Sequence, residues 1–215
     1  MTPDLPAEKQ AAAEAAAALV EDGMRVGLGT GTTVAALVPA LGRRGLAITC
    51  AATSPATEEL ARAHGLDVCA FTGIDRLDLA IDGADQVDPV GWLVKGGGGA
   101  HTRERIVAAA ADRFVVIVSS DKLVPRPHPP VPLELLAFGL AATLHALPDA
   151  VLRDAPPTPD GGVLADYHGE IGDPALLAER LDAVPGLVSH GLFPPSMVST
   201  VLIARGADVE ARQIS

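Results

Sequence analysis

Residues 27–33 read Gly27-Leu28-Gly29-Thr30-Gly31-Thr32-Thr33 and end a short apolar run that begins at Met24. A strand, a glycine turn and hydroxyl residues at a helix start are typical of an anion site. Glycine lets the backbone approach closely, and helix N-terminal amides and hydroxyls donate to phosphate oxygens. The stretch is not a Walker loop, because no Lys-Ser/Thr closes it, and it does not complete GxGxxG. An ordinary capped helix after a turn is the alternative interpretation.

Strand-like and helix-like segments alternate on both sides of this stretch. The apolar runs predict strands at residues 24–28, 46–52, 67–71, 77–81, 90–94 and 114–119. Helices are predicted at residues 8–21, from 32 to about 41 (weakened by Pro39), at 55–64 and at 102–112. Strands alternating with helices indicate an α/β fold, a mostly parallel Rossmann-like sheet with helices on both faces.

The composition shifts at residues 125–132, where five prolines fall within eight residues and predict a lobe boundary. After it we predict a helix over 133–147, two strands around the turn at 159–162, a helix over 173–184 and a strand over 187–190. The apolar run 198–204 is expected to return to the first sheet. Residues 1–127 and 197–215 are thus predicted to form a Rossmann-like catalytic domain. Residues 128–196 are predicted to form a smaller α+β (ferredoxin-like) lobe that mediates oligomerisation.

Composition excludes several classes of protein. The chain has 215 residues, 48% of them hydrophobic and 3% aromatic, and a formal net charge of -11. These values argue against a disordered chain. They also argue against a nucleic-acid-binding protein, because such a protein needs basic patches and stacking aromatic residues. No apolar run approaches the ~18 residues of a membrane helix, and residues 1–10 do not resemble a signal peptide. Cys50 and Cys69 are expected to be small buried hydrophobes in a reducing compartment, so we predict a cytoplasmic protein that handles a small molecule.

The segment Asp82-Gly83-Ala84-Asp85 follows the apolar strand at 77–81. Acids at the carboxyl end of a parallel strand face the crevice where open α/β sheets bind ligands. Two carboxylates three residues apart could orient sugar hydroxyls, transfer protons or bind a divalent metal. No histidine lies nearby to favour metal. A turn with an Asp cap explains one aspartate easily but two less well.

The segment Lys95-Gly96-Gly97-Gly98-Gly99 precedes a helix that carries Glu104 in its first turn. Four consecutive glycines are entropically unfavourable in a folded chain, so a pocket of backbone amides for an oxyanion or hydroxyls is the better interpretation. For Glu104 alone, helix capping is the simpler role. His101 is expected to be a solvated turn residue.

The basic residues are 13 arginines and only three lysines, Lys9, Lys95 and Lys122. Lys95 adjoins the glycine run, and Lys122 follows the most strand-like segment. An ammonium is a compact point charge suited to a developing oxyanion or a phosphate. An acidic protein that binds an anion needs such local positive charge.

These segments together resemble ribose-5-phosphate isomerase of the A type. The resemblance is strongest from Gly27 to Lys122 and rests on the three glycine- and aspartate-bearing segments above and on Arg103-Glu104-Arg105-Ile106-Val107. It implies an aldose-ketose isomerase that interconverts D-ribose 5-phosphate and D-ribulose 5-phosphate through an enediolate, in the non-oxidative pentose phosphate pathway. It also implies that the partner is a phosphosugar, that no metal or organic cofactor is needed, and that the chain forms a homodimer or homotetramer.

The resemblance also assigns roles to individual residues. It implies that Glu104 is the general base, that Lys95 stabilises the enediolate, and that Asp82 and Asp85 bind hydroxyls and assist ring opening. The remaining substrate-binding residues that it implies are Thr30, Gly31, Thr32, Thr33, Gly83, Ala84, Gly96, Gly97, Gly98, Lys122 and Lys9.

The sequence departs from the family pattern at several positions. Ser119-Ser120-Asp121 stands before Lys122 where Asp-x-Ser is usual, and Thr32 replaces a serine. The turn at 158–162 and the pair Ser189-His190 are also atypical, so the small lobe is the less typical half. Two alternatives stay open: an amino-sugar-phosphate deaminase or isomerase of similar fold, and a sugar-phosphate sensor domain.

Overall fold

A mostly parallel sheet of seven strands forms the centre of the computed structural model, which describes residues 3–214. In chain order the elements are α1 (Leu5–Ala17), β1 (Arg25–Leu28), α2 (Thr32–Arg44), β2 (Thr49–Ala52), α3 (Pro55–Ala63), β3 (Asp67–Val68), β4 (Leu79–Asp82), β5 (Gln86–Val87), β6 (Leu93–Val94), α4 (His101–Ala109), β7 (Phe114–Ser119), β8 (Val131–Leu135), α5 (Leu140–Ala146), β9 (Ala150–Leu152), β10 (Val163–Tyr167), α6 (Pro174–Asp182), β11 (Leu187–His190), β12 (Leu192–Phe193), β13 (Thr200–Arg205) and β14 (Asp208–Gln213).

The central sheet has the strand order β14-β13-β7-β4-β1-β2-β3. Its neighbours pair in parallel except for the β13–β14 hairpin at one edge. Helices α1, α2 and α3 contribute to the apolar core on one face, and α4 packs on the other. Strand β7 is buried along its whole length, because helices cover both of its faces.

The strand order reverses direction between β1 and β4. From β1 the chain adds β2 and β3 on one side and then returns to place β4 on the other side of β1. Such a switch point opens a crevice at the carboxyl ends of the two strands, where α/β sheets bind ligands. The segments after Leu28 and Asp82 therefore meet at the same edge of the sheet.

The second sheet has four antiparallel strands in the order β11-β8-β10-β9, with α5 and α6 packed against it. The chain order β8-α5-β9-β10-α6-β11 is the ferredoxin-like βαββαβ arrangement. This confirms the predicted α+β lobe with two helices and a small antiparallel sheet.

A third sheet, of order β12-β6-β5, bridges the first two. Strand β6 ends at Val94, and the Lys95 N–H donates to the carbonyl of Gly191 at 2.9 Å. A Cβ atom at Gly191 would lie 2.2 Å from the Lys95 carbonyl oxygen, so only glycine fits there. The small sheet therefore fixes the backbone from which the Lys95 side chain extends.

Most predicted elements are confirmed, and residues 114–119 form a strand with the predicted bounds. The run 198–204 is confirmed as a strand parallel to β7. Cys50 is buried and Cys69 half-buried, and both are free thiols. None of the helices within residues 3–214 has the length and apolarity that crossing a membrane requires.

The helix predicted over residues 133–147 is wrong. Residues 131–135 form β8, a central strand of the small sheet, and the helix begins only at Leu140. Because both faces of β8 are buried, its apolar run shows no alternation and cannot be told from a helix by periodicity. Strands β5, β12 and β14 were not predicted, since two of them have only two residues and the third is largely exposed.

Candidate active site

The turn between β1 and α2 brings free backbone amides to the crevice. Gly31 is the N-cap of α2 with a φ of 120°, a conformation that favours glycine. Within the described residues no side chain caps this helix, so its first N–H groups are open to a ligand. Thr32 and Thr33 occupy the first helical positions. This geometry fits the predicted anion site.

Gly29 allows the ends of β1 and β4 to meet. A Cβ atom at this position would lie 1.9 Å from the carboxyl carbon of Asp82. Asp82 Oδ1 accepts hydrogen bonds from the Thr30 N–H at 3.1 Å and from the Gly83 N–H at 2.7 Å. The Asp82 carboxylate thus ties the glycine turn to its own strand.

Lys95 is the centre of a buried ion cluster. Its Nζ atom lies 2.9 Å from Asp82 Oδ2, 3.1 Å from Glu104 Oε2 and 2.5 Å from the Gly83 carbonyl oxygen. The Lys95 side chain is 3% exposed, and those of Asp82 and Glu104 are 5% exposed. The Phe193 ring lies under the ammonium, with its centroid 5.6 Å from Nζ. One cation is therefore held between two carboxylates in a nearly dry site.

Burial sets the titration of these groups. It raises the pKa of Glu104 to about 7; Asp82 adds to the rise and Lys95 opposes it. Burial also raises the pKa of Asp82, against the effects of Lys95 and two backbone amides. For Lys95, burial alone would lower the pKa, but the two carboxylates outweigh it and raise the pKa. The pKa of Glu104 thus lies near neutral pH, as a general base requires.

The glycine segment after Lys95 forms one wall of the cleft. Gly96 has a φ of 104°, and the Gly97 N–H donates to Asp85 Oδ2 at 2.8 Å. His101, predicted to be a solvated turn residue, is instead completely buried at the start of α4. A Cβ atom at Gly96 would lie 2.6 Å from His101 Nδ1, so the imidazole packs directly beneath the glycine segment.

Lys122 approaches the cleft from the turn after β7. Its side chain is 34% exposed, and its Nζ atom lies 3.3 Å from Asp121 Oδ2. The buried Glu8 of α1 holds this turn by accepting hydrogen bonds from the N–H and the hydroxyl of Ser120, both at 2.8 Å. Sequence reasoning missed Glu8, because its partner lies 112 residues away.

One cleft collects most of the predicted site residues. It is lined by Thr30, Gly31, Thr32, Thr33, Gly83, Ala84, Asp85, Lys95, Gly96, Gly97, Gly98, Glu104 and Lys122. Asp82 lies behind Lys95 rather than on the lining. Lys9 is half-buried on α1 and does not line the cleft either. Within residues 3–214, no three His, Cys, Asp or Glu side chains are grouped so as to hold a metal ion.

Comparison with protein families finds two matches. The sequence model described as "Ribose 5-phosphate isomerase A (phosphoriboisomerase A)" matches residues 49–208, which is most of the chain. A second one, described as "DeoR C terminal sensor domain", matches residues 5–91. The second match ends before Lys95 and Glu104.

Curated relatives and solved structures agree with the first match. Ribose-5-phosphate isomerase A of Roseobacter denitrificans is 44% identical, over 94% of this chain and 86% of its own. That of Natronomonas pharaonis is 43% identical, over 96% of both chains. The structure of ribose 5-phosphate isomerase A from Methanocaldococcus jannaschii superposes with a TM-score of 0.89 at 32% identity, covering 95% of this chain and 97% of that one. A D-ribose-5-phosphate isomerase structure in complex with phospho-erythronic acid gives a TM-score of 0.91 at 31% identity, covering 98% and 99%.

Proposed function

The chain belongs to the ribose 5-phosphate isomerase A family and interconverts D-ribose 5-phosphate and D-ribulose 5-phosphate; we propose that Glu104 moves the proton in this reaction. The observation that carries this assignment is the buried contact of Glu104 with Lys95. It places a carboxylate with a pKa of about 7 beside a permanently charged ammonium. A base and an electrostatic clamp on the oxygen that becomes negative are what proton abstraction next to a carbonyl requires.

The proposed reaction begins from the open-chain aldose. Glu104 takes the proton from C2, and the C2–H electron pair forms the C1–C2 double bond while the carbonyl π electrons move to O1. The enediolate that results is stabilised by the Lys95 ammonium and by amides of the glycine segment. Glu104 then returns the proton to C1, and transfer of the O2 proton to O1 leaves the ketone at C2. The reaction is redox-neutral, so it balances without a co-reactant.

The other residues bind and orient. We propose that the hydroxyls at residues 30–33 and the amides at residues 31–33 hold the phosphate together with Lys122. Asp85 lies on the lining, where its carboxylate can accept a sugar hydroxyl, and we assign it to hydroxyl binding and ring opening. Because Asp82 already accepts three hydrogen bonds, its support for catalysis is to hold Lys95 in place. The sensor alternative is not favoured, since its match ends before the base and the clamp.

The first prediction concerns a variant in which the proposed base is replaced. Glu104→Gln keeps the shape of the side chain but cannot accept a proton, so kcat should fall by about 10²–10⁴-fold. Turnover is measured in both directions with ribose 5-phosphate and ribulose 5-phosphate. Binding of phospho-erythronic acid should survive, because that compound gives up no proton. In the wild type, kcat/KM should fall as the pH drops below about 7, where Glu104 becomes protonated.

Glu59→Gln is the matched control, since Glu59 is an exposed glutamate on α3. It should retain wild-type kcat. Near-normal kcat in Glu104→Gln would show that another group is the base. Wild-type protein that releases ammonia from glucosamine 6-phosphate but does not isomerise ribose 5-phosphate would support the deaminase alternative instead.

We further propose that the enzyme is cytoplasmic, serves the non-oxidative pentose phosphate pathway, and self-associates as a homodimer or homotetramer through residues 128–196, with the rest of the chain as catalytic domain. Supporting the self-association, Phe138 is 92% exposed and Leu136 51% exposed in this lobe. Exposed apolar groups of this kind mark interaction surfaces. Light scattering measures the assembly, and a monomer at every protein concentration would contradict it.

A further inference from the structure

Arg153, just after β9 in the small lobe, reaches the glycine segment of the catalytic cleft from behind. Its Nη1 atom donates to the carbonyl oxygen of Gly96 at 2.9 Å and to that of Gly97 at 3.3 Å. Asp166 on β10 holds the other side of the guanidinium through two hydrogen bonds, of 2.8 and 2.6 Å. The Arg153 side chain is only 17% exposed. A fixed positive charge of the small lobe therefore touches the backbone of the active site.

The two carbonyls belong to peptide groups of residues 96–98, which line the cleft. The Gly96 carbonyl shares its peptide group with the Gly97 N–H, which donates to Asp85 Oδ2 at 2.8 Å. The Gly97 carbonyl shares its group with the N–H of Gly98, a residue of the cleft lining. A cation that binds the oxygen of a peptide group polarises that group and strengthens the donor at its other end. The guanidinium thus acts on two amides at once.

We propose that Arg153 is a positioning residue of the isomerase, which polarises the Gly98 amide toward the charge that develops on the substrate and holds the Gly97 amide on Asp85. This inference rests on the proposed role of the glycine segment in stabilising the enediolate. Flexible glycines gain a defined conformation only if something holds them, because they lose more freedom on folding than other residues. Arg153 and Asp166 provide that hold, so the small lobe takes part in catalysis and not only in assembly.

The ion pair between Arg103 and Asp160, which does cross the lobe boundary, serves as a reference. Arg103 on α4 makes two hydrogen bonds, of 2.6 and 2.8 Å, to Asp160 in the turn before β10. It has the same bidentate geometry as the Arg153–Asp166 pair and joins α4 to the small lobe. The hydrogen bonds of its guanidinium go to Asp160 and not to the glycine segment. Removing this pair tests what a contact between the two lobes contributes by itself to kcat.

The experiment compares Arg153→Ala with Arg103→Ala. Arg153→Ala should lower kcat by about 10–100-fold, the effect of losing hydrogen bonds from a charged group. The KM for ribose 5-phosphate should change by less than about 3-fold, because the phosphate contacts lie elsewhere in the cleft. Binding of phospho-erythronic acid, whose carboxylate resembles the enediolate oxygens, should weaken with kcat, while inhibition by inorganic phosphate should not change. Arg103→Ala should keep kcat within about 3-fold of wild type.

Two further measurements separate positioning from a structural role. Guanidinium ion at millimolar concentration should restore part of the kcat of Arg153→Ala and none of that of Glu104→Gln. Arg153→Lys, which can bind only one carbonyl well, should have an intermediate kcat, and it provides the test if the alanine variant does not fold.

Equal losses in Arg153→Ala and Arg103→Ala, or a loss confined to KM, would overturn the proposal. Those results would leave the proposed function standing as long as Glu104→Gln is inactive. An active Glu104→Gln would instead refute the base assignment, whatever the Arg153 variants do.

Discussion

The two lysines of the cleft, Lys95 and Lys122, differ in almost everything except their charge. The Lys95 side chain is 3% exposed and lies between two carboxylates, whereas that of Lys122 is 34% exposed and lies beside one. A buried cation whose charge is already balanced needs no reorganisation when negative charge develops on the substrate, so it acts strongly in the transition state. An exposed cation is screened by water and salt, and it contributes mainly to binding.

The difference assigns separate tasks to the two ends of the cleft. At the Lys95 end, the side chains of Lys95, Asp82 and Glu104 are held in contact before the substrate arrives and are almost completely buried. At the Lys122 end, the amides of residues 31–33 are open at the start of α2, and an incoming phosphate dianion would replace their water. We therefore expect changes at the first end to lower kcat and changes at the second to raise KM.

Among the changes that compare the two ends of the cleft, the largest effect is expected from Lys95→Met, which removes the clamp on the enediolate and leaves two buried carboxylates without a cation. The kcat should fall by about 10²–10³-fold, as for the loss of an oxyanion donor. Because Lys95 holds down the pKa of Glu104, its removal should also move the acidic limb of the kcat/KM profile to higher pH. Steady-state kinetics from pH 5 to 9 measure both changes.

The stability of Lys95→Met supplies an internal check. The pKa values of its two buried carboxylates should lie above their unfolded values, so folding favours the protonated forms, and stability should decrease as the pH rises. The variant should accordingly melt at a lower temperature at pH 8 than at pH 6. If Lys95→Met lost phosphate affinity by the same factor as kcat, the two ends of the cleft would not have separate tasks.

Lys122→Met should have the opposite kinetic signature. Losing one hydrogen bond to the phosphate dianion should raise KM by about 10–100-fold and leave kcat near the wild-type value. Because salt screens an exposed contact, the ratio of the KM of Lys122→Met to that of the wild type should shrink in high salt.

Lys9→Met is the matched comparison for Lys122→Met, because Lys9 is a half-buried lysine outside the cleft lining. It should raise KM less than Lys122→Met does. If the two rises are equal, Lys9 contacts the substrate, as the family resemblance implied. A fall in kcat alone for Lys122→Met would contradict the binding role.

The parts of the site that the sequence reveals are those built from local segments. Gly29 directly follows β1 and Asp82 ends β4, and each belongs to a short contiguous motif, so their place at the carboxyl edge of the sheet follows from the strand pattern. The burial of a side chain such as that of Glu104 cannot be predicted from a local segment in the same way. Glu104 resembled a helix cap until the packing of α4 placed it against Lys95.

What the sequence does not reveal depends on how the two lobes pack. The contact from Arg153 to Gly96 joins residues 57 positions apart, and no local pattern marks it. His101 carries an ordinary turn signal, yet the glycine segment packs on its ring because glycines leave room for it. The strand at 131–135 was mistaken for a helix because it is covered on both faces, a property of the sheet rather than of its own residues.

The smallest effect is expected from Glu8→Gln, which acts on the Lys122 end from outside the cleft. Glu8 accepts from the N–H and hydroxyl of Ser120 through Oε2 and from the Gly206 N–H, at 3.1 Å, through Oε1. Since the amide nitrogen of Gln cannot accept, one side of this network is lost, and the free energy of unfolding should fall by about 1–3 kcal/mol. The turn that carries Lys122 should loosen and raise KM by about 2–5-fold without lowering kcat.

Urea unfolding and steady-state kinetics test Glu8→Gln against Glu14→Gln, a more exposed glutamate on the same helix. A stability loss with an unchanged KM would mean that Lys122 keeps its position without Glu8. A fall in kcat would be more damaging, because it would mean that the two ends of the cleft are mechanically coupled. If the two ends are separate, a disturbance transmitted through Ser120 should change phosphate binding and leave kcat unchanged. This variant tests that requirement without touching a residue of the cleft.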